Sequence, residues 1–353
     1  MVNTELNINN LINTAKKDLS KYPYISRNKM IKSKLKNALN FIRGKQLTYI
    51  DRYSWPNAMI AISLENSYNK SKSEIEVNAI KSYIDGWICS GQKINNLDNT
   101  MNGYVLVFIF ELQNDKKYKE IILKIVNYLY NHPKDRYGSL PYRLAQSDEI
   151  YVDAIGMICP FLCRYAKSFN DIAAVKLSIK QIENFMLYGI DKKSGLPYQG
   201  YNSTTKIKKG IIGWGRAVGW LLLGIIDSMQ YLDKNEKEYL YLNNIYTKLV
   251  DIVITYQLPN GNFTWQLETA EGPIDTSSTS MILYSIKKGI ILGVLSPVTY
   301  GINISQGKSA IKGSYKENNI INCSKECGGF GVYPQNYGSY PWGLAPTISF
   351  LSI

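Results

Sequence analysis

The sequence predicts an all-α protein arranged as two concentric layers of helical hairpins. Three observations predict it. Stretches carrying one apolar stripe at helical spacing alternate with stretches that are apolar on every side. The pairs recur in units of about 50 residues, as repeated helical hairpins do. Glycine and proline gather between the stretches, at Asp191-Lys-Lys-Ser-Gly-Leu-Pro197, Leu258-Pro-Asn-Gly261 and Gly328-Gly-Phe-Gly331. The one-stripe helices belong outside and the uniformly apolar ones inside, because a helix that is apolar all round needs neighbours on all sides.

Taken in order, residues 74–87 place Ile75, Val77, Ile80, Tyr83 and Ile84 on one stripe. Residues 104–110 (Tyr-Val-Leu-Val-Phe-Ile-Phe) carry strand propensity. Their helical neighbours and the lack of a matching partner strand nonetheless assign them to a helix. Residues 117–130 repeat the outer pattern with Ile121, Ile122, Ile125 and Leu129, and 171–186 and 236–256 follow it. Residues 153–166, 214–229 and 276–286 read as inner helices. Asn260-Gly261, followed by Asn-Phe-Thr-Trp265, predicts a small β-hairpin at the rim. No Pro/Ser-rich linker or charge block divides the chain, so residues 1–353 read as one domain.

An apolar fraction of 45% supports a large core and excludes wholesale disorder. The 41 basic against 28 acidic residues give a net charge of +13, which points to an anionic partner: nucleic acid, a membrane surface or an acidic polysaccharide. The absence of a basic run of five disfavours nucleic acid. Lysines such as Lys29, Lys32, Lys34 and Lys36 are interspersed with other residues, and read as a solvated positive surface. Five cysteines are an odd count, unlike a disulfide framework. Cys159 and Cys163, one turn apart, read as core, while Cys323 and Cys327 suit a labile pair or half of a metal site. With His132 as the single histidine, zinc and histidine-based triads find little support. The first residues show no basic leader before an apolar run, and no apolar stretch approaches the roughly 20 residues that span a bilayer. These features predict a cytoplasmic chain without membrane insertion.

Four groups of residues could carry chemistry. Asp153 opens an apolar helix among Tyr151, Ile155, Met157 and Phe161, and such surroundings favour the protonated carboxyl that a general acid requires. Its structural reading is an N-cap. Tyr142-Arg143 lies ten positions upstream and supplies a cation. Asp98, in a polar loop before residue 104, would meet Asp153 at the same end of neighbouring inner helices, although it too reads as a cap. Trp214-Gly-Arg-Ala-Val-Gly-Trp220 combines a fork of donors in Arg216 with flat faces for a sugar ring, while Gly215 and Gly219 suit close helix packing. In Asp275-Thr-Ser-Ser-Thr-Ser-Met281 the polar run exceeds what capping needs, so its hydroxyls are expected to face a pocket.

The ordered set of these motifs resembles the unsaturated uronyl hydrolases, glycoside hydrolase families 88 and 105, from about Asp98 to the C-terminus and more faintly from Tyr53-Ser-Trp55. Asp98, between Asn96 and Gly103, resembles the family's first active-site aspartate. Asp153, followed by Met157, Pro160, Phe161 and Leu162, resembles its Asp-x-x-x-Met-x-x-Pro-Phe-Leu motif, whose aspartate is the general acid and base. Trp214, Gly215, Arg216, Gly219 and Trp220 resemble the tryptophan motif, and Thr276, Ser277 and Met281 resemble Glu-Thr-Ser-x-x-x-Met. The resemblance implies an (α/α)6 barrel with short rim hairpins. It also implies release of an unsaturated uronic acid from an acidic oligosaccharide, with no metal or organic cofactor. Asp153 and Asp98 would then be catalytic, and Arg143, Arg216, Trp214, Trp220, Trp55, Tyr142, Gln199, Thr276 and Ser277 would bind substrate, in a monomer or homodimer.

Departures from the family pattern concern the wall that faces substrate. Ala217-Val218 replaces Gly-Asn, Tyr142 replaces a histidine, Asp275 replaces glutamate, and Tyr198 or Gln199 stands where a loop histidine is common. A barrel that binds or processes a surface polysaccharide without turnover therefore stays open as the alternative. A sugar epimerase is disfavoured by the single histidine.

Overall fold

The computed structural model describes residues 5–20, 27–43, 51–91 and 94–353. Residues 1–4, on which part of the expectation about a leader rests, lie outside the described residues. The chain forms α1 (Ile8–Leu19), α2 (Arg27–Ile42), α3 (Trp55–Ser71), α4 (Glu74–Cys89), a single turn α5 (Leu97–Thr100), α6 (Asn102–Gln113) and α7 (Lys116–Asn131). Strand β1 (Glu149–Tyr151) precedes α8 (Asp153–Phe169) and α9 (Ile172–Tyr188). Then come β2 (Gly200–Asn202), β3 (Lys208–Lys209), α10 (Gly215–Met229), α11 (Lys237–Ile254), α12 (Thr276–Ile291) and α13 (Pro297–Gly313). The chain ends with β4 (Tyr315–Lys316), β5 (Asn319–Ile320), β6 (Cys323–Ser324), β7 (Tyr337–Gly338) and α14 (Pro341–Ser352).

The helices build a two-layer barrel. In the inner ring α3, α6, α8, α10, α12 and α14 each pack on the next, and α14 returns to α3 to close it. In the outer ring α4, α7, α9, α11 and α13 each cover the inner helix before them, and α1 fills the last position against α14 and α3. The inner helices are buried along most of their length, as a helix apolar on all faces must be. This also explains why residues 104–110 are helical: burial on every side of α6 outweighs their β propensity. The outer helices α4, α7 and α9 start on side-chain caps, with Ser73, Asp115 and Asp171 accepting from backbone N–H groups of the first turn.

Glycine sets the spacing of the inner ring. A Cβ on Gly156 would lie 2.4 Å from the Trp220 ring, and one on Gly219 would lie 2.7 Å from Met281. Only a bare backbone lets α8, α10 and α12 approach so closely. Deeper in the barrel a buried Arg164 joins α8 to α3 and α6, at 2.6 Å from both Glu65 and Glu111. That triad satisfies charges which would otherwise be costly to bury.

The rim differs from expectation in one place. Asn260-Gly261 closes a turn, with Leu258 N–H donating to Asn262 O at 2.9 Å, but no hairpin straddles it. The residues that follow bridge elsewhere, Thr264 to Ile274 and Gln266 to Trp214. The longest rim sheet is instead the antiparallel β1-β2-β3. No described helix is long and apolar enough to cross a membrane.

Candidate active site

The starts of the inner helices α3, α8 and α10 border a cavity of about 430 Å3, including its solvent-open part. Trp55 from α3, Asp153 from α8 and Trp214, Arg216 and Trp220 from α10 meet there with Tyr142, Arg143, Tyr151 and Gln199 from the rim. The segment between β6 and β7 completes the lining with Glu326, Cys327 and Gly329.

Asp153 is the first residue of α8, and Val152 occupies the cap position, so the expected capping role is not what holds Asp153 there. Its Oδ2 is buried and accepts no hydrogen bond. Burial lifts the carboxyl to about pH 7, with help from the charges of Asp98 and Glu326, against the backbone N–H of the helix start and Arg216. A carboxyl poised at neutrality can both deliver and take up a proton.

Asp98 stands one layer back. Asn96, not Asp98, caps α5 through Asn99 N–H at 3.0 Å. Tyr142 Oη donates to Asp98 Oδ1, and Tyr142 rather than Asp98 lines the cavity. The expectation of two carboxylates opening directly on one pocket is therefore corrected: a phenol separates Asp98 from the cavity. Burial raises the Asp98 carboxyl, while the Tyr142 hydrogen bond and Arg143 oppose the rise. The two acids still sense one another, since the charge of Asp98 contributes to the rise at Asp153.

The two arginines have different duties. Arg143 is exposed at the cavity edge and makes no ion pair among the described residues. Arg216 is 2% exposed, and its terminal nitrogens donate to Ser324 O at 2.9 Å, to Ser324 Oγ and to Lys325 O at 2.9 Å. Asp275 Oδ2 lies 3.7 Å from the same guanidinium, which also rests 4.7 Å over the Trp214 ring. Arg216 thus borders the cavity but spends its donors on the β6–β7 segment, a correction to the expected uronate fork.

Thr276 and Ser277 do not reach the cavity, contrary to expectation. Thr276 Oγ1 donates to Ser314 Oγ at 2.9 Å, and Ser277 Oγ donates to Asp275 Oδ1. The polar run is absorbed by Asp275, which also accepts from Ser277 N–H, Ser278 Oγ, Ser324 N–H and Ser324 Oγ. Gln199 does line the cavity, but its Nε2 donates to Cys327 Sγ at 3.1 Å and its Oε1 accepts from Tyr333 Oη. Ala217 and Val218 are fully buried away from the cavity, so that departure alters packing instead of the pocket wall.

The aromatic walls are Trp55 and Trp220, edge to face at 5.6 Å, with Tyr142 beside Tyr151 at 5.0 Å. The buried Nε1 of Trp214 has no hydrogen-bond partner. Glu326, Cys327 and Gly329 were not foreseen as pocket residues; the sequence signals there were the spacing of Cys323 and Cys327 and the glycine cluster Gly328-Gly-Phe-Gly331. Cys323 and Cys327 are both free thiols, Cys323 buried and Cys327 on the cavity, so they form no disulfide. His132 lies outside the lining and faces Pro141 O at 2.9 Å, bracing the loop that carries Tyr142. No metal-binding group of three or more His, Cys, Asp or Glu occurs among the described residues.

The family model for Glycosyl Hydrolase Family 88 matches residues 28–352. Unsaturated rhamnogalacturonyl hydrolase YesR of Bacillus subtilis (strain 168) is 17% identical over 236 residues, covering 65% of this chain and 69% of that protein. A possible GH105 member from Klebsiella pneumoniae superposes with a TM-score of 0.85 at 16% identity, over 98% of this chain and 92% of that one. The unsaturated glucuronyl hydrolase of Bacillus sp. GL1 gives 0.69 at 13% identity, over 87% and 88%. These solved structures share the fold of this chain.

Proposed function

The chain belongs to glycosyl hydrolase family 88, and on that premise we propose that this glycoside hydrolase removes an unsaturated uronic acid from the end of an acidic oligosaccharide. One observation carries the reading: the pocket holds a carboxyl, Asp153, lifted to about 7, with one oxygen buried and unpartnered. A carboxyl in that state suits vinyl-ether hydration better than a permanently charged one. Asp153 protonates carbon 4 of the sugar's double bond, and its carboxylate then takes the proton of the water that adds at carbon 5. The resulting hemiketal collapses and frees the rest of the oligosaccharide. Arg143 receives the uronate carboxylate, because it is the pocket cation whose donors are not committed to the protein. Trp55 and Trp220 hold the ring, and Asp98, through Tyr142, keeps the Asp153 proton affinity high. YesR, named as an unsaturated rhamnogalacturonyl hydrolase, supports unsaturated rhamnogalacturonyl oligosaccharides as the first class to test.

The test follows loss of ultraviolet absorbance from the sugar double bond on unsaturated disaccharides prepared with different polysaccharide lyases. Turnover by wild type and its loss in Asp153→Asn are expected. A wild type inert on the whole panel, or an Asp153→Asn variant as fast as wild type, overturns the proposal. One observation favours a binding barrel without turnover: Arg216 and Gln199 are engaged with the β6–β7 segment over the pocket. Glycan binding with no product in wild type would decide for it.

A further inference from the structure

Among the described residues helix α2 is not one of the helices that build either ring, and none of its described side chains is buried. Ile31, Leu35, Leu39 and Ile42 are exposed by 47%, 60%, 52% and 79%. Their spacing of four, four and three residues puts all four on one face. Lys34 falls on one side of that stripe at helical periodicity, and Lys32, Lys36 and Arg43 fall on the other; all four are exposed. From Arg27 to Ile50 the sequence has no acidic residue.

From this face we propose that the protein docks on an anionic lipid surface, with α2 lying in the plane of the headgroups. An apolar stripe rimmed by basic residues matches that boundary, where the aliphatic side chains enter the acyl edge and the lysines reach lipid phosphates. The pattern selects lipid over the other occupants. Acidic glycans and nucleic acids would engage the lysines and leave four large aliphatic side chains in water. A second copy of this helix would bring rows of like charge together with no acidic residue to answer them. The lysines that read as a merely solvated surface in the sequence thus acquire a function from the aliphatic residues between them.

The experiment sediments the full-length protein with phosphatidylcholine vesicles and with mixed phosphatidylcholine–phosphatidylserine vesicles, and measures the bound fraction. Wild type is expected to pellet with the mixed vesicles only, and less so as salt is raised. The double variant Leu35→Gln, Leu39→Gln is expected to lower the partition coefficient by about tenfold or more, since two leucines no longer enter the bilayer edge. The triple variant Lys32→Gln, Lys34→Gln, Lys36→Gln loses binding as well. Both sets sit on exposed positions, so their thermal unfolding midpoints stay at the wild-type value. Failure of wild type to bind the mixed vesicles overturns the proposal. So does unchanged binding in the leucine variant, which would mean adsorption by charge alone, or a wild-type dimer that becomes monomeric in the leucine variant.

Discussion

The Tyr142 hydroxyl donates to Asp98 Oδ1 while the same side chain forms the cavity wall that Asp153 shares. The phenol thus separates the two acids sterically and leaves them coupled electrostatically, since the Asp98 charge still raises Asp153. Burial raises both carboxyls, and a hydrogen bond opposes the rise at each: the Tyr142 hydroxyl at Asp98 and the backbone N–H of the helix start at Asp153. Asp153 thus meets the cavity with one oxygen unpartnered while Asp98 is engaged by the phenol behind it, and such unequal environments are what separate the roles of two neighbouring carboxyls.

Removing the partner charge tests that coupling. In Asp98→Asn one source of the rise at Asp153 disappears, so the Asp153 carboxyl ionises at lower pH. The alkaline limb of the kcat/KM profile is expected to move to lower pH, and Glu326→Gln should move it the same way because Glu326 acts in the same sense. An unshifted limb in both variants would mean that neither carboxylate reaches Asp153 electrostatically.

Asp153→Asn removes the proton donor while keeping the shape of the pocket. A positioned general acid and base contributes about 10²–10⁴-fold, so kcat is expected to fall by that order, with substrate binding largely retained. Isothermal titration of the variant with an unsaturated disaccharide, beside rate measurements, separates the two effects. In wild type, activity should decline above about pH 7 as Asp153 ionises.

The legible parts of the site were those where local sequence fixes the environment. Asp153 immediately precedes the ten residues 154–163, whose apolar character announces desolvation, and Trp214 to Trp220 bring their own ring faces and glycines. What was misread depends on partners far along the chain. Ser277 and Thr276 were expected at the pocket because a polar run exceeded capping needs, yet Asp275 and Ser314 satisfy them, and Ser324 reaches Asp275 from 49 positions away. Likewise, nothing local to Tyr142 indicates a bond to Asp98, 44 positions earlier. Of the fold, the alternation of stripes revealed the layers, whereas closure of the ring by α14 on α3 joins opposite ends of the chain and has no local signature.

The raised carboxyl of Asp153 also predicts a stability effect with a definite sign. Its folded value of about 7 exceeds the ordinary 3.8, so between those values the native state holds a proton that the unfolded chain has released. Wild type therefore loses stability as pH rises through that window, by up to about 4 kcal/mol from this group alone. Asp153→Asn has no such dependence and is expected to be more stable than wild type above pH 7, with the advantage vanishing near pH 4. Urea unfolding at a series of pH values checks this; equal slopes in the two proteins would contradict burial as the cause.

The two arginines of the pocket should separate cleanly under mutation. Arg216 neutralises a fully buried Asp275 and ties Ser324 and Lys325 to α10, so Arg216→Gln leaves a buried carboxylate without its cation. Breaking a buried pair on one side costs about 3–5 kcal/mol, and the denaturation midpoint should drop accordingly. Arg143 is exposed and supports no such network, so Arg143→Gln is expected to leave the midpoint within about 0.5 kcal/mol of wild type. Its loss should appear in KM, by about tenfold or more, because a charge-assisted hydrogen bond to the substrate carboxylate is removed. Unfolding curves and steady-state kinetics on the same pair of variants read both outcomes. The opposite pattern, with KM raised by Arg216→Gln at unchanged stability, would return the uronate contact to Arg216.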